Sequence, residues 1–153
     1  MKELVAVLFV GLLFSSCNTT TDVTSKAPLP IRGTWRLLNG TTIEKNDTIR
    51  TDYTRDQSFI KIINDSHFAF FKHDLTKGKG KLATYSSGGG TYTLIGVQYT
   101  EHLEYCDARD WENNDFKFTI SLKNDTLIQT GIERIDSIGV NRVNTEVYIR
   151  LNN

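Results

Sequence analysis

The sequence predicts an all-β fold, an antiparallel up-and-down barrel of eight to ten short strands. Two observations predict it. From Gly33 onward no stretch carries apolar residues at helical spacing, and the segments are short and rich in β-branched and aromatic side chains. One turn recurs three times, as KNDT at 45–48, INDS at 63–66 and KNDT at 123–126. Asparagine and aspartate tolerate the left-handed backbone angles that two-residue hairpin loops require. Consecutive antiparallel hairpins leave unpaired edges unless the sheet closes or doubles. With short hairpins throughout and no long crossover connection, closure into a barrel is favoured over a β-sandwich.

The 153 residues suffice for one domain. Lysine plus arginine and aspartate plus glutamate both number 18, so the balance gives no reason to expect a nucleic-acid partner, which needs a basic surface to displace counterions. The organisation reads as three pieces: a signal peptide at 1–16, a cysteine with a flexible tether at 17–31, and the barrel domain at 32–153. The start, MKELVAVLFVGLLFSSC, has Lys2, then an apolar run at 4–14, too short for a bilayer span of about 20 residues but suited to a signal-peptide core. The stretch NTTTDVTSKAPLP at 18–30 is polar and ends in prolines, as a tether does. With Cys17 set aside, Cys106 alone remains and no internal disulfide is available.

The turns predict which side chains share a face. A loop at Asn64-Asp65 sets Ile63 opposite Ser66 and Ile62 opposite His67. One face is then Ile60, Ile62, His67, Ala69 and Phe71, read as inward. The other is Phe59, Lys61, Phe68, Phe70 and Lys72, read as outward because of its two lysines. A loop at Asn124-Asp125 sets Leu122 opposite Leu127 and Ile120 opposite Gln129, placing Phe116, Phe118, Ile120, Leu122, Leu127 and Gln129 on one buried face. Gly96 marks a further hairpin. It puts Tyr92, Leu94, Tyr99, Glu101, Leu103 and Tyr105 inside, and sends His102, Glu104 and Cys106 outside. The triple glycine at 88–90 marks a bulge or bend where a barrel strand turns its corner.

Two sets of residues carry a family resemblance. GTW at 33–35 opens the first strand, and VYIRLNN at 147–153 ends the chain. This resembles the lipocalin and calycin superfamily, in which Gly-x-Trp packs under the barrel against an arginine of the last strand. The resemblance implies a structural cap made of Gly33, Trp35 and Arg150, and a guanidinium over an indole gains cation–π energy. HF at 67–68, GGGTYTL at 88–94, YTEHLEY at 99–105 and FKF at 116–118 resemble the small lipocalin-like domains of bacterial lipoproteins. Separately, the small residues Ser15 and Ser16 before Cys17 resemble a bacterial lipobox. That implies cleavage before Cys17, lipidation of its thiol, and a place in the bacterial cell envelope, anchored at the outer membrane or facing the periplasm.

The stretch YTEHLEYC at 99–106 looks like a catalytic or metal-binding cluster, but a strand divides it. Glu101 and His102 point opposite ways, so the convergence a metal site needs is not expected there. His102 and Cys106, four residues apart on a strand, stand roughly 13 Å from each other and do not form a nucleophile–base pair. The glycine-rich SSGGG (86–90) and TKGKGK (76–81) lack the Gly-Lys-Ser/Thr and following helix of a phosphate cradle. No catalytic residue, metal or cofactor is expected. The expected function is binding of a small apolar or amphipathic ligand inside the barrel. The polar anchors are His67, Tyr92, Tyr99, Glu101, Tyr105 and Gln129, with Phe118 on the apolar wall. The opposing reading of the interior is a filled core in which these groups satisfy one another. Two other functions compete: an interaction module binding an envelope protein through rim loops such as CDARDWENND (106–115), with Trp111 as anchor, and an enzyme using buried Glu101 as general acid or base.

Overall fold

The computed structural model describes residues 29–81 and 83–151. The expected signal peptide and the expected lipidation site at Cys17 lie outside them. Nine antiparallel strands follow one another: β1 (Gly33–Glu44), β2 (Asp47–Asp52), β3 (Gln57–Ile63), β4 (His67–Asp74), β5 (Tyr85–Ile95), β6 (Gln98–Cys106), β7 (Asn114–Lys123), β8 (Thr126–Ile135) and β9 (Val140–Arg150). Neighbours in sequence pair from β3 to β9, and β9 returns to β1, which closes an eight-stranded up-and-down barrel. β2 is the extra strand. The first half of β1, at 33–36, pairs with β3, whereas its second half, at 39–44, pairs with β2. The change of partner falls at Leu38, unpaired in the β1–β9 register, whose carbonyl takes the Tyr53 amide at 2.9 Å.

Three hairpins show how local chemistry sets register. At 45–46 both loop residues have positive φ, 49° for Lys45 and 71° for Asn46, as a tight hairpin turn demands. β7 and β8 pair as the turn at 124–125 predicts, with Leu122 opposite Leu127 and Ile120 opposite Gln129. The β3–β4 hairpin differs from expectation. Asn64 uses its side chain to accept the amides of Ser66 (2.9 Å) and His67 (2.7 Å), and its own amide bonds the His67 carbonyl, so the loop has four residues. Ile63 therefore faces Phe68, not Ser66.

The shift is by two residues, so the face sets survive, but their direction is reversed. Phe68 is 2% exposed and Lys61 only 3%, while Ile62 and Phe71 are 41% and 40% exposed. Phe59, Phe68 and Phe70 point into the barrel, and Lys61 goes with them.

On β6 the parity changes midway. Gly90 pairs with Leu103 and Gly89 with Tyr105, leaving Glu104 as the extra residue of a β-bulge. The glycines make the close approach possible: a Cβ on Gly90 would stand 1.9 Å from the His102 carbonyl oxygen. Beyond the bulge Tyr105 turns outward and Cys106 turns in, the reverse of the sequence expectation.

The core gathers at the end of the barrel where β1 begins. Trp35 and Leu37 are wholly buried there with Ile31, Ile63, Phe68 and Leu127. Leu29 and Ile31, placed in the tether by the sequence, pack into this end, and the Trp35 indole donates to the Ile31 carbonyl at 2.7 Å. The Arg150 guanidinium lies 4.1 Å over the Trp35 ring and donates to the carbonyls of Arg32 and Pro30. Gly33, at φ 141°, runs against that guanidinium.

Candidate functional site

Above this sealed end the barrel holds a cavity of about 320 Å³, at the small end of ligand pockets. Its walls follow from strand alternation. β3 and β4 bring in Phe59 and Phe70, whose rings stack 5.7 Å apart, and Tyr53 meets Phe59 edge-on at 5.8 Å. Across the barrel stand Phe116 and Phe118 from β7. The loop after β6 forms a single 3₁₀ turn, Arg109–Trp111, that folds its indole over the opening. Trp111 packs 5.7 Å from Phe116 and carries the Arg142 guanidinium 5.0 Å above its ring.

The floor is polar. Lys61 forms an ion pair with Glu101 and donates to Gln129 Oε1 at 3.0 Å. Its ammonium lies 5.3, 5.4 and 5.7 Å from the ring centres of Phe68, Tyr99 and Tyr148. A desolvated ammonium needs such company, because a buried charge without partners costs several kcal/mol. Burial pushes the Tyr99 hydroxyl far above the ordinary phenol range, and the nearby Glu101 charge adds to it. Burial and then Glu146 do the same to Tyr148. Both phenols stay neutral.

β9 supplies the third side. Arg142 pairs with Glu133 at 2.6 Å, and Asn144 donates to the other oxygen of Glu133 at 2.9 Å. Glu146 accepts the Tyr148 hydroxyl at 2.7 Å. Burial raises the Glu146 pKa above its ordinary value, against the pull of Lys61 and the Tyr148 hydrogen bond.

The structure sorts the residues expected to bind ligand. Glu101, Phe118 and Gln129 line the cavity. Tyr99, 1% exposed, flanks the Lys61 ammonium. Tyr92 lies at the closed end, its ring 5.2 Å from that of Tyr99 and its hydroxyl donating to the Asn64 carbonyl. His67 is corrected: the reversed face puts it outside, where its Nδ1 meets Ser66 Oγ at 2.8 Å. Tyr105 is corrected as well, because the bulge turns it out to 68% exposure. Trp111 is no free rim anchor; its indole lines the cavity. His102 faces outward as expected and bonds Asp115 at 2.7 Å.

Several cavity residues escaped the sequence reading: Lys61, Tyr53, Glu133, Arg142, Glu146 and Tyr148. A usable signal existed for Glu133, which lies an even step along β8 from Gln129. Arg142, Glu146 and Tyr148 lie even steps along β9 from Arg150. Among the described residues no three histidine, cysteine or carboxylate side chains converge as a metal site. The arrangement can hold a small molecule between aromatic walls and present it with paired and unpaired charges. No protein-family model matches the chain, and no curated protein matches it in sequence.

Proposed function

We propose that this protein is a lipid-anchored, lipocalin-like barrel of the bacterial envelope that binds a small amphipathic molecule in its interior. The observation that carries the reading is the cavity of about 320 Å³, walled by aromatic rings and floored by Lys61, Glu101 and Gln129. A barrel whose only task is structural gains nothing from burying an ammonium and a carboxylate, since a packed apolar core of equal volume is usually at least as stable. Sparse polar groups in an aromatic cavity fix the orientation of a ligand. The arrangement of the closed end agrees. Leu29 and Ile31 dock beside Trp35, so the described chain enters the barrel at the end away from the cavity. The lipocalin likeness rests on the closed eight-stranded barrel and on Arg150 stacked over Trp35.

The test is binding of a neutral hydrophobic fluorophore such as N-phenylnaphthylamine, together with native mass spectrometry of protein purified without delipidation. Saturable, one-to-one enhancement that Thr42→Trp abolishes by filling the cavity supports the reading. No enhancement and no co-purifying mass overturn it. Metabolic labelling with a clickable palmitate, lost in Cys17→Ala, tests the anchor separately.

A further inference from the structure

We infer that the cavity selects a ligand whose polar end is a protonated amine, and that Glu146 receives it. The inference rests on the ligand-binding reading above and names the ligand's chemistry.

Three carboxylates line the cavity, Glu101, Glu133 and Glu146, against two cations, Lys61 and Arg142. Both cations are already engaged. Lys61 is held by Glu101, by Gln129 and by three aromatic rings. Arg142 is held by Glu133 and stacked on Trp111. Neither offers a free positive charge to a carboxylate or phosphate head group.

The acceptors are in surplus. Glu146 has one oxygen on the Tyr148 hydroxyl and, among the described residues, no ion pair and no partner for the other. Its cross-strand neighbours are Gly40 on β1 and Gln129 on β8, one without a side chain and the other with its carbonyl oxygen given to Lys61. Glu101 is spent, because its buried Oε1 is the atom that pairs with the Lys61 ammonium, so the spare acceptor is the one on Glu146. A ligand carboxylate placed here meets like charge in a desolvated site, which is strongly unfavourable. A ligand ammonium meets an unpaired carboxylate and an aromatic face. The Tyr53 ring stands over Gly40, 3.2 Å from where a Cβ would be, on the strand beside Glu146. Phe59 and Phe70 extend that aromatic surface for an apolar body. This is the combination by which proteins hold organic cations.

Calorimetric titration of the folded protein at neutral pH with octylamine, octanol and octanoate tests the inference, because the three share one tail and differ in head-group charge. Octylamine is expected to bind at least about tenfold more tightly than octanoate, and Glu146→Gln is expected to cut its lead over octanol to less than about threefold. Octanoate binding as tightly as octylamine overturns the amine inference and leaves cavity binding standing. An amine preference that survives Glu146→Gln overturns the role of Glu146. Failure of all three to bind overturns the inference together with the reading beneath it.

Discussion

Half-buried Arg150 and buried Lys61 both sit on aromatic rings in this barrel, and they face different kinds of partner. At the sealed end Arg150 covers Trp35, and its donors go to the backbone carbonyls of Arg32 and Pro30. In the cavity Lys61 sits among Phe68, Tyr99 and Tyr148, and its partners are the side chains of Glu101 and Gln129. The first cation satisfies fixed main-chain acceptors on chain segments that must be held together, so it staples the fold. The second satisfies a carboxylate that need not have been buried at all. A cation facing carbonyls is part of the architecture; a cation facing a buried carboxylate is half of a pair that function, not packing, accounts for.

The largest effect should come from splitting that pair. Lys61→Met leaves Glu101 buried without its counter-charge and is expected to cost about 3–5 kcal/mol in urea unfolding. Lys61→Met combined with Glu101→Leu is expected to recover most of that loss or exceed the wild type, because an apolar replacement of a whole buried pair is often neutral or stabilising. A double variant as unstable as the single one would show that the pair supports the fold itself. Arg150 should behave differently. Arg150→Ala removes the guanidinium from Trp35 and leaves two carbonyls unserved, for about 2–3 kcal/mol. Arg150→Lys, which keeps the charge but not the planar fork, should lose about 1 kcal/mol. Here no second substitution restores the loss, since the partners are backbone. Thermal and urea unfolding of the two series side by side decide between the two roles.

The same contrast explains what could be read from the sequence. The hairpin of β7 and β8 was legible down to its register, because Phe116, Phe118 and Ile120 alternate with Lys117, Thr119 and Ser121 around a two-residue turn. Hydrophobic alternation works there because the inner face is apolar. It fails where the inner face is the polar floor. On β3 the outward residues include Ile62 and the inward ones include Lys61, so the usual rule inverts and sends both lysines outside. On β9 Arg142, Glu146 and Tyr148 share the inner face while Val143 is exposed, so the strand resembles an ordinary one turned inside out. His67 was lost to the same inversion, because it shares its face with Ile62 and Phe71, which point to solvent. Tyr105 was lost to a single extra residue, Glu104, since one bulge exchanges the faces of everything after it. Glu101 was placed inside correctly, but its partner is a lysine that the alternation sends to solvent.

The smallest expected effect concerns Glu146, and it shows itself as a pH dependence. Burial raises the folded-state pKa of Glu146 above its ordinary 4.5, so the folded chain keeps a proton the unfolded chain has released. The protein therefore loses stability as the pH rises from about 4.5 through the folded pKa, and levels off above it. Glu146→Gln removes the titration while its amide oxygen can still accept from Tyr148. The variant should match the wild type at acid pH and become the more stable of the two as the pH rises toward neutral. Asp74 pulls the other way. Thr76, Thr84 and Gly78 all donate to its carboxylate, hold its pKa well below 3.8, and make stability fall as the medium is acidified below that value. Both proteins share Asp74, so its acid loss cancels when their urea unfolding curves are subtracted across the pH range, and the remaining difference belongs to Glu146. A flat difference would mean that Glu146 ionises as freely in the cavity as in water. A difference that grows with pH would show that the fold keeps a carboxylate whose ionisation it disfavours, and would leave a ligand cation as the physical reason to keep it.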